Sequence, residues 1–200
     1  MNDKGDTIII GENTKYPIEI TCFVYKGQDK PDLEIIMKDN FNAVADTIKK
    51  AHYAEPVMFV YSKDRMFVVP LNMKLSNDTK TSAADQVVPL LKTFKQNEDK
   101  TGKIIGYQVI FEAWMGRTKI EESDKLLKNY KYGDISKMEQ RMEALVNTMN
   151  INKIGLKTDL YEMIKLESEN KVTIKEMGKD WKMPEINPKF PNYKDLKVEY

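Results

Sequence analysis

Residues 104–115 read IIGYQVIFEAWM, the longest run of strand-forming residues in the chain. On a strand, Val109, Phe111, Ala113 and Met115 project to one face, and Ile110, Glu112 and Trp114 to the other. The stretch reads as a central strand, and its neighbours on either side in the sequence decide what sheet it belongs to.

Upstream, residues 80–97 place Ala83, Ala84, Val87, Val88, Leu90, Leu91 and Phe94 on a broad apolar helical face. Pro89 falls inside it, which predicts a kink or a split. Before that helix, PVMFVYS and MFVVPL flank the tight polar turn SKDR, so 57–61 and 66–71 form a β-hairpin. Over 33–53, Leu33, Ile36, Met37, Phe41, Val44, Ala45 and Ile48 fall near helical spacing; a helix is read over about 39–53, with Asn40 or Asp39 as its cap and 33–38 open. The β-rich runs 7–10 and 18–25, separated by the turn cluster GENTKYP, complete this half as a hairpin or two short strands.

Downstream, residues 119–142 are charged. Residues 134–149 then carry Ile135, Met138, Met142, Leu145, Val146 and Met149 at i, i+3, i+7 spacing behind a capping Asp134, a stripe that predicts a helix. LYEMIKL and KVTIKEM around ESEN read as another hairpin, about 160–166 and 171–177. Pro184, Pro188 and Pro191 forbid regular structure over the last eighteen residues.

One reading opposes the stripe. Glu112, Ala113, Trp114 and Met115, followed by Arg141, Glu143, Ala144, Leu145 and Val146, resemble a family of small uncharacterised prokaryotic and phage α+β proteins. In that family a Glu-Ala-Trp-Met-like strand is followed by an Arg-x-Glu-Ala-Leu-like segment. The resemblance covers about 55–177. It implies that 143–150 is a strand paired with the first, which is the reading adopted, and it implies no activity.

The counts narrow the chemistry. The chain has 200 residues, 41% of them hydrophobic and 32% charged, enough for one medium domain with a real core. Mean hydropathy is −0.56. Net charge is +1, with 32 basic and 31 acidic residues spread evenly, which does not favour a charge-driven nucleic-acid or membrane-surface binder. Only three basic residues are Arg (Arg65, Arg117 and Arg141), too few to line a phosphate groove. Cys22 is the single cysteine and His52 the single histidine, which removes disulfides, cysteine zinc sites and two-histidine metal sites. MNDKGDTIII lacks the composition of a signal peptide, and no stretch approaches eighteen apolar residues. The expected location is a reducing cytoplasm.

Candidate sites are few. Glu112 and Trp114 share a strand face, with Arg117 or Arg141 as counter-ion. The group is either a carboxylate in a Trp-walled pocket, usable as acid, base or ligand, or a structural ion pair beneath a core indole. His52, beside Tyr53 and Glu55, is a weaker catalytic candidate, and at a helix end it also fits a plain surface role. Cys22 alternates with Ile20 and Val24 as a core thiol. Glu121, Glu122 and Asp124 offer oxygen ligands but fit a solvated face. GKIIG, residues 102–106, lacks the GK[ST] of a P-loop. KLLKNYKYGDISK, with Tyr130 and Tyr132, has the composition of a base-stacking surface yet sits among acids and reads as an exposed loop. In the tail, Trp181, Phe190, Tyr193 and Tyr200 are aromatics that pack back on the chain or anchor in a partner.

The expected architecture is therefore α+β: a mainly antiparallel sheet of about six to eight strands, two helices packed on one side, and an extended tail. Residues 1–180 form one domain and 181–200 the tail. The function expected is non-enzymatic binding or oligomerisation, by self-association or a protein partner, without cofactor or metal. The alternatives are a carboxylate enzyme centred on Glu112, with or without a divalent ion, and a weak nucleic-acid binder.

Overall fold

The structure is a computed structural model, and it describes residues 5–11, 18–25, 32–71, 83–116, 141–152, 155–166, 170–177, 191 and 195–196. Eight strands form one sheet: β1 (Asp6–Ile10), β2 (Ile18–Val24), β3 (Val57–Ser62), β4 (Arg65–Pro70), β5 (Ile104–Gly116), β6 (Arg141–Ile151), β7 (Gly155–Leu166) and β8 (Lys171–Glu176). Their order is β1-β2-β4-β3-β5-β6-β7-β8, and every neighbouring pair is antiparallel. The IIGYQVIFEAWM segment is central, as its composition predicts. It pairs along its length with β6, Glu112 opposite Leu145 and Trp114 opposite Glu143. Residues 143–150 are thus strand, and the helical stripe is overruled; residues 134–140 lie outside the described residues.

Among the described residues, three helices accompany the sheet: α1 (Leu33–Ala51), α2 (Ala83–Gln96) and the single turn α3 (Glu98–Thr101). The open stretch 33–38 is helical, and the cap is Asp32 in place of the expected Asn40 or Asp39, which lie within α1. The Asp32 Oδ1 accepts from the backbone N–H groups of Glu34 (3.1 Å) and Ile35 (3.3 Å), satisfying two donors that a helix start leaves open. It ends at His52 in the left-handed region, φ 63°, whose N–H reaches the Ile48 carbonyl at 2.7 Å. α2 runs unbroken through Pro89, so of the kink or split expected there the split does not occur. The ring sits on the exposed face, where water can reach the carbonyl that loses its amide partner.

The helices lie on opposite faces of the sheet, which corrects the expectation that both pack on one side. Met58 and Val60 of β3 join Ala84, Val87, Leu91 and Phe94 of α2 in one core, with Phe67, Val69, Tyr107 and Val109. Their alternating neighbours Phe59 and Tyr61 join Met37, Ala45 and Ile48 of α1 in the other, with Ile110, Leu145 and Met163. Successive strand residues point to opposite faces. A strand such as VMFVYS, apolar at almost every position, therefore needs a cover on both sides. One helix layer would leave Phe59 and Tyr61, or Met58 and Val60, in water, at about 1.5–3 kcal/mol per large side chain.

The tail returns to the α2 face. Tyr107 Oη donates to the Pro191 carbonyl (2.7 Å), Lys95 Nζ donates to the Leu196 carbonyl (2.6 Å), and Leu196 packs against the α2 core. Trp181, Phe190, Tyr193 and Tyr200 lie outside the described residues. No described helix is long and apolar enough to cross a membrane.

Candidate binding cleft

Strand register assembles the site. On the face toward α1, β6 presents Leu145, Asn147, Met149 and Ile151, and β7 presents Gly155, Lys157, Asp159 and Tyr161, with Asn147 directly opposite Asp159 and Met149 opposite Lys157. α1 lies above them, held by contacts that include the following. Phe41 stacks on Tyr161 with ring centroids 4.3 Å apart. Gln108 Nε2 donates to the Met37 carbonyl at 2.9 Å. Beyond the helix end, the Ala54 N–H donates to Glu112 Oε1 at 3.1 Å. Between the first turns of α1 and the β6–β7 floor a cleft of about 530 Å³ is left open. Met37, Phe41, Met149 and Ile151 line it, with Asn147 in the floor and Asp32, Lys38 and Asp159 among the residues around it. Gly155 contributes to the opening, since a Cβ there would meet nothing within 4 Å.

The floor rests on a buried polar chain. Asn40 Nδ2 donates to Tyr61 Oη (2.9 Å), Tyr61 Oη donates to Gln108 Oε1 (2.7 Å), and Gln108 Nε2 donates to both the Met37 carbonyl and Asn147 Oδ1 (each 2.9 Å). Gln108 is 0% and Asn147 3% exposed, so the three bonds of Gln108 form in the interior, while the Asn40 bond is part-buried. Burial is the main cause that raises the Tyr61 phenol well above its ordinary pKa, with Tyr25 adding; the Asn40 hydrogen bond opposes them. Tyr161 is pushed up to about 12, by burial first and then by Asp159 and Glu176.

The residues singled out from sequence take other roles. Glu112 carries the Ala54 amide and so fastens the end of α1 to the sheet. Trp114 is 43% exposed, with the Arg141 guanidinium 4.9 Å over its ring, a cation–π stack at the surface. Arg117 lies outside the described residues, as do Glu121, Glu122, Asp124, Tyr130 and Tyr132. His52 occupies the helix cap already described. Cys22 is buried in the α2 core beside Ile20, while Val24 is exposed; burial, the largest cause, raises its thiol pKa. Among the described residues no group of three or more His, Cys, Asp or Glu could hold a metal ion.

Sequence reasoning missed Gln108 and Asn147. Each is a polar residue inside an otherwise apolar strand run, YQVIF and LVNTM, and that local conflict was the available signal. No protein-family model, curated protein or solved structure matches the chain.

Proposed function

We propose that this protein is a non-enzymatic binding module of the cytoplasm whose ligand site is the cleft between α1 and the β6–β7 strands. The observation that carries the reading is the cleft itself. Its volume of about 530 Å³ falls in the range of small-molecule sites, and its lining combines large apolar side chains and the buried Asn147 amide with charged groups of both signs. A rigid floor supports it, since the amides beneath are cross-linked to both sheet and helix. Native mass spectrometry of the untagged protein, together with emission of the neutral dye Nile red, tests this. A retained small-molecule mass or a rise in dye emission, either one lost in a folded Met149→Trp variant that fills the cleft, is expected. A bare protein that leaves the dye dark overturns the reading.

The same spectrum reports the oligomeric state. Self-association is proposed through the sheet edges at β1 and β8, because Pro191 and Leu196 of the tail are engaged on the protein's own β5 and α2. A monomer at micromolar concentration would remove that part of the proposal. The carboxylate-enzyme alternative depends on Glu112, whose Oε1 is already committed to a backbone amide. Glu112→Gln keeps that acceptor, so full ligand binding in this variant favours the binding reading.

A further inference from the structure

The geometry points to a neutral ligand class for the cleft, an apolar molecule carrying a carbonyl oxygen, recognised by the side-chain amide of Asn147; this inference rests on the cleft being the binding site. It follows from the direction of the buried hydrogen bonds. Side-chain amides can be turned end for end, but a main-chain carbonyl only accepts. The Met37 carbonyl therefore fixes the nitrogen of Gln108 toward α1. Gln108 Oε1 is then the acceptor for Tyr61 Oη, whose own acceptor side receives Asn40 Nδ2. The second hydrogen on Gln108 Nε2 goes to Asn147, so the atom of Asn147 that meets it must be Oδ1. That turns Asn147 Nδ2 away from the network, on a residue that lines the cleft.

Two N–H groups sit on that nitrogen, and the contact it makes is the Met149 thioether at 3.8 Å, a weak acceptor. Asn147 is 3% exposed, so the remaining donor has little water to bond. The polar chain thus ends in a buried donor on Asn147 set against Met149, both residues lining the cleft, and its complement is an acceptor such as a ketone or amide oxygen. The charges around the cleft argue for a neutral body. Lys157 and Asp159 pair with each other at 3.1 Å, and Asp32 is spent capping α1. Glu34 and Lys38 offset one another in sign, leaving no cationic cluster for a carboxylate or phosphate.

The test compares acetophenone with ethylbenzene, which has the same ring and chain length without the oxygen. Both are titrated into the full-length protein and followed by ¹⁵N–¹H correlation spectra that include the side-chain amides. Acetophenone is expected to bind about five- to tenfold tighter, the worth of one net hydrogen bond, and to shift the Asn147 side-chain resonances. Asn147→Asp keeps an oxygen for Gln108 but presents no amide donor, and it is expected to remove the preference while ethylbenzene still binds. Equal affinity of the two compounds for the natural protein overturns the carbonyl assignment and leaves the cleft as a site. Binding of neither overturns both readings. A preference for acetophenone with shifts only outside the cleft overturns the role of Asn147. If Asn147→Asp does not fold, the pair of titrations on the natural protein still decides.

Discussion

Replacing Gln108 by Leu interrogates the buried polar chain most directly. The side chain is similar in size and 0% exposed, so the change removes hydrogen bonds without opening a large void. Three bonds are lost: from Tyr61 Oη at 2.7 Å, and to the Met37 carbonyl and Asn147 Oδ1 at 2.9 Å each. The Met37 carbonyl belongs to a helix and retains its helical role. Tyr61 Oη loses its acceptor and Asn147 Oδ1 its donor, both in the interior. Each orphaned group costs about 1–3 kcal/mol, and the added apolar burial of Leu offsets about 1–2 kcal/mol. The net loss expected is centred on about 2.5 kcal/mol, which for a chain of this length lowers Tm by roughly 5–10 °C. Urea unfolding followed by circular dichroism measures it. The triple variant Tyr61→Phe, Gln108→Leu, Asn147→Leu removes the orphans along with the bonds, and should lose less than the three single changes added together. A loss under about 0.5 kcal/mol for Gln108→Leu, the scale of an exposed position, would refute the reasoning, and so would strict additivity of the triple.

Four further outcomes are expected. Tyr25, Tyr61, Tyr107 and Tyr161 all have phenols raised above the ordinary value, burial being the first cause in each, and Tyr161 reaches about 12. The neutral phenols therefore favour the folded state: that stability is whole below pH about 10 and is lost as pH climbs through the folded values, at no more than about 1.4 kcal/mol per pH unit for each buried ring. The urea midpoint should hold from pH 7 to 9 and fall between 10 and 12, with phenolate absorbance rising late; a flat midpoint throughout contradicts this. Gly106→Ala would put a Cβ 2.7 Å from the Asn150 main-chain oxygen, forcing β5 and β6 apart at a cost of about 1–3 kcal/mol, and an unchanged urea midpoint would show that the strands yield freely. The Asn150 side chain is fully buried, and among the described residues neither of its amide atoms has a hydrogen-bond partner, so Asn150→Leu should raise stability by about 1–2 kcal/mol; a drop in Tm would mean the amide is satisfied in solution. Tyr107→Phe deletes the hydroxyl that holds Pro191 and should cost about 1 kcal/mol, whereas truncation after Met183 should cost more by also uncovering the core at Leu196; equal Tm for the full-length and truncated proteins would dissociate the tail from folding.

Much of the sheet was legible because several of its strands, β3 and β4 above all, are apolar runs bounded by clear turns. SKDR fixed the β3–β4 hairpin to within a residue or two, with strands observed at 57–62 and 65–70. β6 was ambiguous for a physical reason. It is buried on both faces from Ala144 to Thr148, yet Asn147, Thr148 and Asn150 interrupt its apolar residues. The remaining positions Met142, Leu145, Val146 and Met149 then fall at helical intervals by accident. Periodicity assumes that polar means exposed. In β6 polar residues are inside, so the assumption fails where the network runs. The placement of both helices on one side failed similarly: uninterrupted apolar strands such as VMFVYS signal two covered faces, and that signal lies in the lack of alternation.

The candidate site was hidden more deeply, because it consists of neutral amides brought together by register. Charge drew attention to Glu112 and Trp114, which share the α1-facing side of the sheet with Gln108. Glu112 and Gln108 both fasten α1, one beyond its end through Ala54 and one through the Met37 carbonyl. Phe41 adds a third fastening on Tyr161. All three act at or after Met37, and the cleft opens under the turns that begin at Asp32, where floor positions carry Gly155 instead of a side chain that would fill the space. The helix is thus pinned over most of its length and bridges a gap at its start. A left-handed φ of 98° at Gly155 disfavours any residue with a Cβ at that position, so the opening is maintained by backbone conformation as well as by side-chain size. The polar chain that braces α1 against the sheet is also the one that fixes the amide orientation of Asn147, a residue lining the cleft, which couples the stability of the fold to the proposed chemistry of the cleft. A variant that breaks the chain at Gln108 should therefore weaken ligand preference even though Gln108 itself does not line the cleft.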